Sequence, residues 1–212
     1  MFRIELPPLS YGQTVGPLDR GPFYTRDGLF EGQWGMIPPG SETNVPKTKE
    51  GKRMSTNNAR LERVHQAWTY RFAWQKGQRC LIPAENFDEP NWESGKNVWW
   101  TLAQASGEPW ALAGIYGVWT DKQTGEVLHH YSMLTQNCDG HPLLARLHKS
   151  DPQLPPSQQD KRTLIPIAPA DWETWLTGSV DQAREVIRLW PEDAFRAGPR
   201  SEILSASNSE AV

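Results

Sequence analysis

Trp110-Ala111-Leu112-Ala113-Gly114-Ile115-Tyr116-Gly117-Val118-Trp119, then the polar stretch Thr120-Asp121-Lys122-Gln123-Thr124-Gly125, then His129-His130-Tyr131-Ser132-Met133-Leu134-Thr135, decide the fold class. The first run is apolar, with small residues at Ala111, Ala113, Gly114 and Gly117. That suits a central strand whose neighbours approach closely. The polar stretch ends in glycine and joins two strand-like runs, the pattern of a hairpin. Outward from this hairpin, Cys80-Leu81-Ile82-Pro83 reads as a short buried strand, and Val98 to Ala103 and Leu164 to Ile167 read as two more. One further strand is expected near Gly32-Gln33-Trp34-Gly35-Met36-Ile37, within a Gly- and Pro-rich opening segment of loops and short strands.

Helices are few. Arg60 to Gln75 has helical stretches that bring Leu61, Val64, Trp68 and Phe72 near one face. Pro169 to Leu176 begins with Pro and acids suited to a first helical turn, and Val180 to Leu189 is a second short helix. Ser41 to Thr56 is polar and reads as a surface loop. Strands do not alternate regularly with helices and no repeat is visible, so the class is α+β with a mainly antiparallel sheet.

Bulk properties narrow the field. A chain of 212 residues fits one domain, drawn at 1–200 with 201–212 as a flexible tail. No apolar run reaches membrane-spanning length, and Met1-Phe2-Arg3-Ile4-Glu5 is not a signal peptide. Two cysteines, Cys80 and Cys138, make no disulfide framework and point to a reducing compartment. A monomeric cytoplasmic protein without a membrane partner is the expectation. The net charge is −3, yet residues 47–79 carry nine Lys or Arg (47, 49, 52, 53, 60, 63, 71, 76, 79) against Glu50 and Glu62. Such sorting marks either a solvated basic face or a local nucleic-acid groove. The 11 tryptophans divide between core and stacking platforms in a proportion that composition does not give.

Three polar residues stand where a scaffold can hold them. Asn58 precedes a helical pattern; its plain role is an N-cap, its functional one a hydrogen bond to substrate. Glu89 lies in Glu85-Asn86-Phe87-Asp88-Glu89-Pro90, where crowded carboxylates raise one another's pKa toward the range of a general acid or base. The plain alternative is a solvated acidic turn. His148 follows Leu143-Leu144-Ala145-Arg146-Leu147 and is a proton-transfer candidate, or a satisfied structural histidine. Cys138, His141 and His148 do not match a zinc spacing, and no metal is expected. No G-x-S-x-G elbow, P-loop or dinucleotide fingerprint is present.

In order along the chain, these segments resemble the SOS-response-associated peptidase (SRAP) family. Trp34-Gly35-Met36-Ile37-Pro38 is similar to its W-G-(apolar)-x-P strand, and Asn58-Ala59-Arg60-Leu61-Glu62 to its N-A-R-x-E motif. Arg79-Cys80-Leu81-Ile82-Pro83-Ala84, with Phe87 and Glu89, resembles R-C-(L/I)-(V/I)-P-A-x-G-F-x-E-W. Ala113-Gly114-Ile115-Tyr116, Tyr131-Ser132-Met133-Leu134-Thr135 and Trp175-Leu176 resemble the A-G-(L/I)-(W/Y), (F/Y)-(T/S)-x-L-T and W-L stretches. The resemblance runs from about Trp34 to Phe195. It implies a barrel-like sheet core and no cofactor.

It also implies a chemistry. The family exposes an N-terminal cysteine by removing its own initiator Met. That cysteine joins the aldehyde of an abasic site in single-stranded DNA as a thiazolidine, a cross-link that shields the lesion. Carried over by motif, Asn58 orients the sugar, Glu89 manages the amine's proton, His148 is the acid or base of ring opening and closure, and Arg60 holds phosphate. Arg162 stands for the Arg after the family's His, and Lys52 and Arg53 join Arg60 in the DNA-binding set. The implied partner is single-stranded DNA and the implied setting the DNA-damage response, with nucleoid association when DNA is damaged.

The sequence departs from the family at several places. Phe2 occupies the position of the cysteine, so a chain starting this way has no thiol beside its terminal amine. Asn86 replaces a Gly and Pro90 a Trp, Lys149 to Gln159 is inserted after His148, and no closing valine-rich strand is recognisable in Phe195 to Ser205. Three readings follow: a divergent family member with a partial active site, an inactive nucleic-acid or protein binding module of the same fold, or a hydrolase or sugar-binding protein that uses its tryptophans; a native start upstream of Met1 that carries Met-Cys-Gly-Arg would restore the thiol.

Overall fold

The structure is a computed structural model that describes residues 14–203. Phe2 and residues 204–212, most of the expected tail, lie outside them. In chain order the elements are β1 (Arg20–Thr25), β2 (Gly28–Trp34), β3 (Asn58–Arg60), α1 (Arg71–Gln75), β4 (Arg79–Ala84), β5 (Asn86–Asn91), β6 (Val98–Gln104), β7 (Trp110–Thr120), β8 (Val127–Asn137), β9 (Arg162–Leu164), α2 (Trp172–Thr177), α3 (Val180–Glu185) and β10 (Phe195–Pro199). Among the described residues no helix is long and apolar enough to cross a membrane. The chain sorts into two compact units, each assembled from three separate segments.

The first unit takes residues 14–83, 111–135 and 164–187. Its sheet runs β2-β1-β4-β7-β8, and β2 pairs again with β8, which closes the path into a barrel. The β7–β8 hairpin is its spine, antiparallel from Gly114↔Met133 to Thr120↔Val127. The small residues of β7 do what their size suggests: a Cβ on Gly114 would lie 2.3 Å from Ile82 Cδ1, 2.9 Å from Cys80 Sγ and 3.0 Å from the Ser132 carbonyl. Ile165 and Ile167 dock on the same strand through Ala113 N–H to Ile165 O and Ile167 N–H to Ala111 O. Trp74 and Trp175 fill the core with ring centroids 6.4 Å apart. The Trp175 indole donates to the Cys80 carbonyl at 2.9 Å. Buried Arg79 donates to the carbonyls of Trp175 and Gly178 and fastens α2 to β4.

Several expectations for this unit need correcting. The opening segment holds a hairpin, β1 with β2, closed over Arg26 and Asp27, and β2 starts four residues before the expected strand. Residues 61–66 are turns, and only Arg71–Gln75 is helical. The face expected of Arg60 to Gln75 does not form: Val64 is fully buried while Trp68 is 53% exposed. Asn58 is not an N-cap. It begins β3, parallel to β8, and α1 starts after Tyr70. α3 ends at Glu185, short of Leu189, and is opened by a Ser179–Gln182 capping box.

The second unit takes Ala84–Trp110, Gln136–Thr163 and residues 188–203. Its antiparallel sheet has the order β10-β6-β5. Leu102, Cys138, Leu143, Leu144 and Leu147 form its core, with Phe87, Trp100 and Phe195 packed against them. Trp110 is fully buried between Phe87, Trp190 and Phe195, its indole donating to the Leu102 carbonyl at 3.2 Å. Two further corrections fall here. Asn86 to Pro90 is a strand rather than an acidic turn, and Phe195 to Pro199 is a strand where none was recognised.

Candidate functional site

β5 lies at the edge of its sheet, where a proline in the strand is tolerated because the outer side needs no full ladder. Its free side takes a bridge from Asn91 to Leu147, and the His148 N–H donates to the Pro90 carbonyl at 2.6 Å. Strand alternation puts Phe87, Glu89 and Asn91 on one face and Asp88 on the other. The Asp88 face is fixed by the buried Thr101 hydroxyl, which donates to Asp88 at 2.5 Å, and by Arg200 at 3.0 Å. Glu89 therefore turns toward the side on which Phe87 packs against the core. There it meets His148, with Glu89 Oε2 3.4 Å from His148 Nε2.

His148 is held from three directions. Its φ is 62°, the left-handed region that a residue with a side chain adopts only under constraint. Besides the N–H bond to Pro90, its carbonyl accepts from Lys161 Nζ, which also donates to the Leu147 carbonyl at 2.8 Å. Its ring Nε2 is 2.9 Å from the Arg162 carbonyl. A carbonyl only accepts, so Nε2 carries the proton and Nδ1 is left as the basic nitrogen.

The two side chains meet in neutral forms. Burial, with Asp88 adding negative charge, pushes the Glu89 carboxyl up to about 8. Burial pulls the His148 imidazole below its usual range, the positive charge of Lys161 adding to this, against an opposing effect of the Arg162 carbonyl. At neutral pH the 3.4 Å contact joins a carboxylic acid to a neutral imidazole, and is not an ion pair. An acid that still holds its proton near pH 7 beside a base that lacks one is the arrangement general acid–base chemistry uses.

Asn58 and Arg60 belong to the first unit. Both are exposed ends of β3, with Ala59 buried between them. With Arg63, Gln66, Ala67 and Tyr70 they line a cleft of about 340 Å³. The Tyr70 hydroxyl donates to the Asn58 carbonyl at 3.2 Å, tying the far side of the cleft to β3. Lys52 and Arg53 are exposed on the preceding loop and do not line it; Arg53 reaches the Pro17 carbonyl at 3.5 Å. Arg162, in the second unit, pairs with Asp160 at 3.1 Å and serves His148 through its backbone.

The other candidates resolve into structure. His141 Nε2 lies 2.8 Å from the Trp190 carbonyl while Nδ1 accepts from the N–H groups of Leu143 and Leu144, so both nitrogens are used. Among the described residues no group of three His, Cys, Asp or Glu could hold a metal ion. Cys80 and Cys138 are buried free thiols whose pKa burial raises, that of Cys138 to about 12, so neither offers a thiolate at neutral pH. Sequence reasoning missed Lys161 and Thr101. Lys161 acts on carbonyl oxygens, which carry no sequence signature, and Thr101 is an ordinary strand residue until its register with Asp88 is known.

The model of the SOS response associated peptidase (SRAP) family matches residues 20–204. The chain belongs to this family. Among curated relatives it is 25% identical over 127 residues to the abasic site processing protein HMCES of Gallus gallus, covering 50% of this chain and 36% of that protein. The HMCES protein of Xenopus tropicalis is 24% identical over 120 residues, 49% of this chain and 35% of that one. The chain thus matches little more than a third of the length of either relative. Among solved structures, a Bordetella bronchiseptica protein superposes with a TM-score of 0.75 at 34% identity, covering 86% of this chain and 84% of that one. A Bacteroides thetaiotaomicron protein at 20% identity gives a TM-score of 0.69 over 89% of this chain and 77% of that one, a likeness of SRAP-like fold alone.

Proposed function

We propose that this SRAP-family protein binds single-stranded DNA and shields abasic sites in it, with Glu89 and His148 moving protons at the lesion aldehyde. The observation that carries this reading is the neutral Glu89–His148 contact, built from β5 and the Lys161-tied backbone at Leu147 and His148. Family membership and relatives named for abasic-site processing support it.

An abasic site in its open form is an aldehyde. A primary amine adds to it to give a carbinolamine, which loses water to become an imine. Loss of that water needs a proton on the departing hydroxyl, and a carboxylic acid that is neutral at pH 7 supplies it. The Nδ1 atom of His148 accepts the proton that the attacking nitrogen gives up. In this reading a primary amine of the protein attacks, and in the first unit Asn58, Arg60 and Arg63 contact sugar and phosphate of the strand. The product of that addition is an imine. It hydrolyses in water unless reduced.

Binding is tested by titrating labelled single-stranded and duplex oligonucleotides of one length, intact or with one abasic site, at several salt concentrations. Tighter binding of the single strand, with a further gain at the abasic site, supports the proposal. Equal binding of duplex and single strand overturns it.

A further inference from the structure

We infer that Trp68, backed by Arg71 and Phe72, is a base-stacking platform beside the Asn58–Arg60–Arg63 cleft, so that a nucleobase next to the bound phosphate stacks on its outer face. The inference rests on the proposed DNA reading and deepens it.

Trp68 is 53% exposed and Phe72 36% exposed. Burying a tryptophan is favourable, and one left this open in a small unit with a well-filled core has not been used for folding. Its position is nonetheless fixed. The Arg71 guanidinium lies 4.6 Å from the Trp68 ring centroid and 4.7 Å from that of Phe72, and the two rings meet edge to face at 5.2 Å and 83°. Arg71 Nε is buried and makes no hydrogen bond, so this guanidinium is held chiefly by the two rings. One face of the indole is thereby backed and its orientation set before any ligand arrives, while the remaining surface is open.

The surroundings select the occupant. Trp68 follows Ala67 and precedes Tyr70 by two residues, and both of those line the cleft with Arg60 and Arg63. Guanidinium groups beside an open, pre-oriented indole suit a chain of alternating phosphates and flat rings, which is single-stranded nucleic acid. An apolar protein segment would match the indole but offers nothing to the Arg63 guanidinium at the cleft. Duplex DNA keeps its bases stacked on each other and offers this ring no face.

The test compares Trp68→Ala, Trp68→Phe and Arg63→Ala with the unmodified protein on two labelled strands of equal length, oligothymidylate and a base-free strand of abasic spacers. Trp68→Ala is expected to weaken oligothymidylate binding by about 5- to 100-fold. It should leave the base-free strand and the salt dependence unchanged. Trp68→Phe should keep most of the affinity, and Arg63→Ala should weaken both strands and flatten the salt dependence. Unchanged oligothymidylate binding by a folded Trp68→Ala protein overturns the platform and points to a protein partner on this surface. Equal loss on both strands also overturns it. If the unmodified protein binds neither strand, the proposed function itself fails, a result distinct from a failure of the platform alone.

Discussion

Glu89 Oε2 and His148 Nε2 lie 3.4 Å apart, and burial drives both groups toward their neutral forms. The pair is assembled by an edge strand and a left-handed residue, two features that cost stability and persist because the surrounding bonds over-determine them.

The titration of Glu89 leaves a signature in stability. Its folded pKa, about 8, exceeds the usual carboxylate value of 4.5, so the folded state holds more protons across that window. The contribution is fully present below about 4.5 and is lost as pH rises through about 8. Glu89→Gln keeps the shape without the titration. The difference in urea unfolding free energy between the unmodified protein and Glu89→Gln should therefore shift in favour of the variant as pH rises from 5 to 9. His130, whose pKa burial lowers to about 4, slopes the opposite way below 6.5, and taking the difference cancels it.

Lys161 sets the geometry of His148. Lys161→Met keeps much of the buried stem but removes the donor to the Leu147 and His148 carbonyls. The expected cost is about 1–3 kcal/mol of unfolding free energy. A pH profile of adduct formation displaced from that of the unmodified protein would separate positioning from plain destabilisation. An unaltered profile and unaltered stability would remove Lys161 from the account.

The barrel makes its own demand at Gly114. Gly114→Ala places a methyl 2.3 Å from Ile82 Cδ1 and 3.0 Å from the Ser132 carbonyl. It should cost about 1–3 kcal/mol in urea unfolding. Adding Ile82→Val should return part of that, because the nearest clash is with the end of a side chain.

Phosphate contacts are counted by salt. On single strands each lost contact makes the log–log dependence of affinity on salt shallower by about 0.7. Arg60→Ala and Arg63→Ala should each do so, whereas Lys52→Ala, whose residue does not line the cleft, should change the slope little.

What the sequence revealed follows the length and regularity of its patterns. The β7–β8 hairpin was legible because its apolar run, small residues and turn all agree. β5 was not, since Asn86, Asp88 and Pro90 are poor strand formers, and its strand state comes from pairing with β6 and from sitting at an edge. Asn58 read as a cap because Asn favours that role, but three residues paired with β8 outweighed local preference. The Trp68 spacing mimicked a buried helix face that the turns at 61–66 never form. Glu89 and His148 were singled out from their local setting, and the motif resemblance gave them roles, but their 3.4 Å contact had no sequence trace. The φ of His148 and the reach of Lys161 are tertiary facts with no local trace.

The most direct test of the central claim is adduct trapping on single-stranded DNA carrying one abasic site, with and without borohydride, read on a denaturing gel. The account predicts a reductant-dependent adduct on the abasic strand, absent from intact DNA, reduced by about tenfold or more in Glu89→Gln. A heat-stable adduct without reductant would contradict an imine as the product. No trapped adduct, or one equally strong in Glu89→Gln, would contradict the proposed role of the Glu89–His148 pair.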